Sequence, residues 1–214
     1  MPELPEVETV RARLEPVLVG RRQEHVEIHD PRLTRPFDPA GVAAELEGER
    51  VAAVDRRGKY LIVRFESGRV LLIHLRMTGN LLHGNGEWLS PADPHRRAVV
   101  RLDDGSDVVY RDVRRFGTWL LVEPHELEPY LGDRVGREPL ERSFTTKRLA
   151  EALAGRRTPV KAAILDQRRL AGVGNIYADE ALWRARIHPQ RPAGGLDPAE
   201  LKARSSRCLG RSSG

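Results

Sequence analysis

The chain opens Met1-Pro2-Glu3-Leu4-Pro5-Glu6-Val7-Glu8, and this stretch carries two readings at once. The first is structural. Pro5 suits the first position of a helix, and Glu6 and Glu8 complement the positive end of a helix dipole. Val7, Val10, Leu14 and Val17/Leu18 then follow at three- to four-residue spacing, which predicts an amphipathic helix stopped by Gly20. The second reading is chemical. Removal of the initiator methionine before a small residue leaves Pro2 with a free secondary amine. An α-amino group has a pKa of roughly 7.7–8.0, so part of it is unprotonated and nucleophilic at neutral pH. Glu3 stands beside that amine and Glu6 follows one helical turn later. Together they make an amine nucleophile with carboxylate acid/base partners.

Working outward, composition narrows the class. At 214 residues the chain has room for one large or two ordinary domains with a proper core. Charged residues make up 31% and aromatics 5%, as expected of a soluble protein with arginine-rich surfaces. No apolar run reaches the roughly 18 residues of a membrane span, and no basic-then-apolar leader precedes Glu3. A membrane partner is therefore not expected. Cys208 is the single cysteine. It allows no intrachain disulfide and no multi-cysteine zinc site within these residues, and it fits a reducing cytoplasm. Charge is uneven: residues 143–214 hold 14 Lys+Arg against 6 Asp+Glu, whereas residues 1–142 hold 22 against 25. A basic half suits a polyanion partner, although an arginine-rich solvated face explains the charge equally well.

Taken in order, the pattern changes once. Val51–Val54, Tyr60–Phe65, Val70–Leu75, Val99–Leu102, Val108–Tyr110 and Thr118–Val122 read as short strands. Glu66-Ser67-Gly68 and Asp103-Asp104-Gly105 supply turns between them. The succession predicts an antiparallel sandwich or barrel with the first helix packed on it. Residues 123–139, with Gly132 and Gly136, read as a linker. Beyond it Thr145 or Thr146 caps a helix through Leu149 and Leu153. Thr158-Pro159 reads as a cap and first helical residue opening Val160–Asp166, and Asn175 as the cap of a helix ending before Pro189. Residues 204–214 are rich in Ser, Gly and Arg, and this composition predicts a disordered tail. The expected domains are 1–130, a linker at 131–142, an incomplete helical domain at 143–203, and the tail.

Four further features carry possible chemistry. Lys59 lies in the turn Arg56-Arg57-Gly58-Lys59, as a solvated residue or as a proton donor and phosphate contact. Met77 sits in a loop after a strand, as core filler or exposed side chain. Arg114-Arg115-Phe116-Gly117 pairs guanidinium groups with an aromatic in a loop. Such a pair suits insertion into a base stack, or is a surface Arg pair beside one core Phe. Gly172-Val173-Gly174-Asn175 allows close backbone approach at a helix start, where amides bind anions. A lone G-x-G is also what any helix hairpin needs.

The combination is more specific than its parts. In order along residues 1–203, the chain presents Pro2 to Glu8, Gly58-Lys59-Tyr60-Leu61, His74 to Gly79, Arg114 to Gly117, and Gly172 to Ala178. This set resembles the bacterial formamidopyrimidine-DNA glycosylase family, base-excision enzymes that remove oxidised purines such as 8-oxoguanine. The resemblance implies an α+β fold: an N-terminal antiparallel β-sandwich with a catalytic N-terminal helix, then a helix–two-turn–helix domain. It implies that Pro2 attacks the sugar C1′ and forms a Schiff base, with β- and δ-elimination after it. Glu3 serves as proton donor and acid/base partner, Glu6 supports it, and Lys59 is the second proton donor. Met77, Arg114 and Phe116 fill the gap left by the flipped nucleotide. His95, Arg157, Lys161 and Asn175 contact DNA, Arg157 standing where the family commonly has lysine. The implied partner is double-stranded DNA containing oxidised bases or abasic sites, met by a monomeric enzyme in the bacterial cytoplasm.

One departure is large. The family ends in a four-cysteine zinc finger whose arginine enters the minor groove, and full-length relatives bind zinc through it. With Cys208 alone, these residues are expected to hold no metal or other cofactor, and the chain is expected to be a C-terminally shortened form. Each lost phosphate contact would flatten the salt dependence of binding by a slope of about 0.9. Two other readings stand beside this one: a non-catalytic or unstable remnant that binds damaged DNA, and a sister-branch enzyme acting on oxidised pyrimidines. Leu4 in Pro-Glu-Leu-Pro favours the purine branch.

Overall fold

A computed structural model describes residues 1–84, 90–141 and 143–196, and these fall into two compact units, Met1–Tyr130 and Leu131 onward. The expected tail, with Cys208, and the end of the expected helical domain lie outside the described residues. No described helix is long and apolar enough to cross a membrane.

In the first unit the opening pattern builds α1, Leu4–Leu18, whose buried residues are Leu4, Val7, Val10, Leu14 and Leu18. Glu3, not Leu4, is the cap. Pro5 is therefore the second helical residue rather than the first, a position where its missing N–H is still one of the unbonded donors of the first turn. The strands are β1 (Gln23–Ile28), β2 (Val51–Arg57), β3 (Tyr60–Phe65), β4 (Val70–His74), β5 (Asn80–Gly84), β6 (Arg96–Leu102), β7 (Asp107–Arg111) and β8 (Thr118–Val122), with helix α2 (Pro39–Leu46) between β1 and β2. All described pairings are antiparallel, and they form two four-stranded sheets ordered β1-β6-β7-β5 and β2-β3-β4-β8. Val54, Leu61, Val63 and Leu71 from one sheet meet Val26, Leu81, Val100 and Tyr110 from the other in a single apolar cluster that also takes in the buried face of α1. That is the predicted sandwich with its helix.

Register is what gathers the loops. Tyr60 lies opposite His74, and His74 opposite Thr118. The turn before β3, the loop after β4 and the loop before β8 therefore emerge at one end of their sheet. In the other sheet Asn80 and Arg96 both lie opposite Arg111, which aligns the segments before β5, before β6 and after β7. Lys59, Met77, His95 and Arg114–Gly117 sit in those segments.

The second unit begins within α3, Pro124–Gly132. Residues 124–132 of the stretch that reads as a linker are thus helical. Pro124 opens the helix, and Arg137 bridges to Leu170 beyond it. Then come α4 (Thr146–Leu153), α5 (Val160–Leu165) and α6 (Asn175–Ala185). Thr145 caps α4, accepting the Arg148 N–H at 3.3 Å. Two expected caps are corrected. Pro159 itself is the cap of α5, leaving Thr158 outside, and Gly174 is the cap of α6, making Asn175 its first residue. Helix α6 ends at Arg186 in a left-handed conformation, φ 52°, three residues before Pro189. Leu153, Val160, Ala163, Leu182, Ala185 and Ile187 pack this unit's core.

Candidate active site and nucleic-acid interface

Of the expected catalytic set, the structure brings Glu3, Glu6 and Lys59 into one electrostatic neighbourhood. Glu3 is only 1% exposed, a position an acidic side chain takes only when its charge is partnered. Its N–H donates to the Glu6 carboxylate at 2.9 Å, the reach-back half of a capping box. Lys59 follows Gly58, whose φ of +59° turns the β2–β3 hairpin, and its side chain is drawn inward, 7% exposed. Burial pulls its ammonium below the ordinary lysine range, while the carboxylates of Glu3 and Glu6 oppose that shift. Pro2 is half-buried immediately before Glu3. With Met1 attached its nitrogen is an amide, so nucleophilicity there requires Met1 to be removed.

Two neighbours of this group, His74 and Arg56, each open a stretch quoted above but received no role of their own from the sequence. His74 is buried, and burial, reinforced by the positive charges of Arg76 and Lys59, pushes it down to about 3. It is a neutral imidazole whose Nδ1 accepts the Arg76 N–H at 3.0 Å. The Tyr60 ring meets it edge-on at 4.8 Å. A neutral histidine beside a buried lysine adds no repulsion, which helps Lys59 keep its proton. Arg56 donates to Glu8 at 2.8 Å and to the Gly58 carbonyl at 3.0 Å, fastening the hairpin turn to α1. Nothing in an Arg-Arg-Gly-Lys string marks which arginine faces inward.

The expected void-filling residues lie in two loops. Met77 is half-buried after β4, and Phe116 is 51% exposed before β8. Arg114 and Arg115, adjacent in sequence, part company. The Arg115 guanidinium donates to the buried Asp30 carboxylate at 2.7 and 2.9 Å. Arg114 stays exposed, its guanidinium 4.8 Å from the centre of the Phe116 ring. Arg115 adopts φ 60°, in the left-handed region. His95 precedes β6, and its carbonyl accepts the Asp112 N–H at 3.0 Å.

In the second unit, Arg157 is exposed in the loop before α5 and Asn175 is exposed as the first residue of α6. Lys161, in the first turn of α5, is ion-paired with Asp179 of α6 at 2.7 Å. The intervening loop is braced by a residue the sequence did not flag. The Gln167 side chain accepts the Gly172 N–H at 2.9 Å and donates to the carbonyls of Leu165 and Val173 at 3.0 and 2.7 Å. Gly172 has φ +84°, which favours glycine. These bonds brace the loop that leads into the N-terminus of the 11-residue helix α6. Among the described residues, no group of three or more His, Cys, Asp or Glu is arranged to hold a metal ion.

Comparison with known proteins fits this geometry. Residues 1–119 match the family model of the formamidopyrimidine-DNA glycosylase N-terminal domain, and residues 135–208 match that of the formamidopyrimidine-DNA glycosylase H2TH domain. The chain is 51% identical over 204 residues to a formamidopyrimidine-DNA glycosylase of Symbiobacterium thermophilum, covering 94% of this chain and 66% of the relative. It is 46% identical over 226 residues to the protein of that name from Methylobacterium sp. (strain 4-46), covering 99% of this chain and 74% of the relative. Among solved structures it resembles Lactococcus lactis Fpg in complex with DNA containing an abasic site, with TM-score 0.88 and 34% identity, over 97% of this chain and 75% of that one. The same protein in complex with Fapy-dG-containing DNA is equally similar, at TM-score 0.88. The chain thus spans about two thirds to three quarters of the length of these relatives.

Proposed function

The chain belongs to the formamidopyrimidine-DNA glycosylase family, and from that membership we propose that it excises oxidised purines from duplex DNA and cleaves the resulting abasic site. The observation that carries this reading is the placement of Glu3, buried at the start of α1, within electrostatic reach of the inward-drawn Lys59.

Once Met1 is removed, the Pro2 amine attacks C1′ of a nucleotide turned out of the stack. The C1′–N bond breaks, its electron pair leaves with the base, and Lys59 delivers the proton the departing base needs. The Glu3 carboxylate takes the proton released by the Pro2 nitrogen and passes it to the ring oxygen as the C1′–O4′ bond breaks, and the Pro2 nitrogen becomes an iminium. With the iminium as electron sink, loss of a C2′ proton expels the 3′ phosphate, and a second elimination expels the 5′ phosphate. Covalent catalysis divides one difficult displacement into easier steps, and extrusion of the nucleotide is what exposes C1′. The buried Lys59 suits proton delivery because burial brings an ammonium closer to neutral pH in acidity.

Met77, Arg114 and Phe116 occupy the space left in the stack, with Arg114 toward the orphaned base. His95, Arg157, Lys161 and Asn175 contact the backbone. Lys161 exchanges its partner Asp179 for phosphate when DNA arrives, and Asn175 adds its amide at the start of α6. These contacts position the duplex rather than read its sequence.

Borohydride treatment of the chain with duplexes carrying 8-oxoguanine or thymine glycol tests the reading. A covalent protein–DNA adduct forming faster on 8-oxoguanine is expected. A preference for thymine glycol would move the chain to the oxidised-pyrimidine branch. Binding to either duplex without an adduct, after Met1 removal, would make it a damage-binding remnant.

A further inference from the structure

Asp112 follows β7 and is 1% exposed, yet nothing in its sequence context marks it. Its carboxylate collects donors from three places. One oxygen accepts the Thr78 hydroxyl and, at 3.2 Å, the Arg114 N–H; the other accepts the Gly117 N–H at 2.8 Å. The Thr78 hydroxyl in turn accepts the Arg114 N–H at 3.0 Å. Through its backbone, Asp112 donates to the His95 carbonyl at 3.0 Å and accepts from the Arg97 guanidinium at 2.8 Å. One buried residue therefore fastens the loop of Met77, the loop of Arg114 and Phe116, and the segment of His95.

The chemistry of this node is specific. Three N–H or O–H donors converge on one side chain, which demands an anionic acceptor with several lone pairs. Thr78 is the bridge between loops, because its hydroxyl donates to Asp112 and accepts from Arg114 at once. A core needs no such arrangement to pack. Two loops that must keep a fixed spacing while their tips are exposed do need one.

We propose that Asp112, acting through the Thr78 hydroxyl, is a positioning residue that locks the two void-filling loops together, so that Met77 and the Arg114–Phe116 pair enter the base stack as a unit. The inference rests on the glycosylase reading above. It predicts that the node matters where a base must be unstacked, and less at a site that has lost its base.

The test compares wild type, Thr78→Val, Thr78→Ser and Asp112→Asn on one duplex sequence holding 8-oxoguanine or a preformed abasic site. The ratio of lesion excision to abasic-site cleavage is expected to fall at least fivefold in Thr78→Val and Asp112→Asn. The dependence of excision on the base opposite the lesion, which Arg114 faces in this reading, should weaken with it, while Thr78→Ser, which keeps the hydroxyl, holds the wild-type ratio. Amide exchange of Arg114 in the free protein should accelerate in Thr78→Val, and that of Arg114 and Gly117 in Asp112→Asn. A folded Thr78→Val with wild-type ratio and opposite-base preference would overturn the proposal, as would unchanged exchange at Arg114. If wild type cleaves neither duplex, the glycosylase reading fails and the DNA role of the node falls with it. The exchange measurement would still show whether Thr78 and Asp112 fasten the loops.

Discussion

Arg115 is bound to Asp30 by two hydrogen bonds of 2.7 and 2.9 Å, across 85 residues of sequence, while its neighbour Arg114 stays exposed beside Phe116. The Arg115 hydrogen bond holds the Asp30 carboxyl below the usual carboxylate range, against burial and with help from the Arg32 N–H and the Arg97 charge. Arg115→Leu would leave that buried carboxylate with Arg32 and with Arg97 at 4.0 Å. Urea unfolding should show a loss of about 1–3 kcal/mol for this variant. Arg114→Ala removes only an exposed cation–π contact, so its cost should stay below about 1 kcal/mol, and its defect should appear in opposite-base preference instead.

Lys59 gives a pH signature. Burial lowers its pKa, so its ammonium is lost on the alkaline side before that of a solvated lysine. Excision of an oxidised base should therefore decline below the ordinary lysine range, whereas Lys59→Met should abolish this limb together with most of the excision rate. Because Glu6 raises the Lys59 pKa, Glu6→Gln, which keeps an acceptor for the Glu3 N–H, should move the alkaline limb further toward neutral pH. An unmoved limb in Glu6→Gln would separate Lys59 from the rate-governing proton.

His74 links stability to acid. Its folded value is about 3, against an ordinary 6.5, so the unfolded chain binds the extra proton throughout that window. Stability then rises with pH between about 3 and 6.5 and is lost as pH falls through it, by roughly 1.4 kcal/mol per pH unit from this one group. His74→Gln, which does not titrate, should flatten the dependence of urea-unfolding free energy between pH 4 and 6 by about that slope.

Tyr110 and Gly117 are fitted to each other. The Tyr110 hydroxyl is buried without a hydrogen-bond partner among the described residues, and a Cβ on Gly117 would overlap it. Gly117→Ala should cost about 3 kcal/mol or more by overpacking. Tyr110→Phe should be neutral or stabilising by up to about 1 kcal/mol, since it removes an unpaired buried hydroxyl. Thermal melts of the two single variants and the double variant should show Tyr110→Phe recovering part of the Gly117→Ala loss.

Much of this architecture is legible in the chain, and the exceptions have physical causes. β3, β4 and β8 read as strands because Tyr60–Phe65, Val70–His74 and Thr118–Val122 are apolar and bounded by turns. β1 escapes because its Gln-Glu-His-Val-Glu-Ile run is polar and a register shift between Gln23 and His25 breaks the alternation. β5 buries only Leu81, between the polar Asn80 at its start and His83 and Gly84 at its end, so it lacks an apolar run. α3 hides behind Pro124, Pro129 and Gly132, which signal breaks, although a proline in the first turn costs a helix no hydrogen bond. Among site residues, Pro2, Glu3 and Lys59 stand out through chemistry that is local in sequence. Asp112 and Gln167 do not, and His74 does so only as the first residue of a quoted motif, with no role attached. Their roles come from strand register or loop packing, which no local pattern encodes.

The proposed chemistry turns on the N-terminal proline as nucleophile. The most direct measurement is mass mapping of the borohydride-trapped adduct between the Met1-processed chain and 8-oxoguanine duplex. A sugar remnant is expected on the N-terminal peptide, attached at the Pro2 nitrogen. An adduct mapped to Lys59 or any other lysine, or no adduct from a folded chain that begins at Pro2, would contradict it.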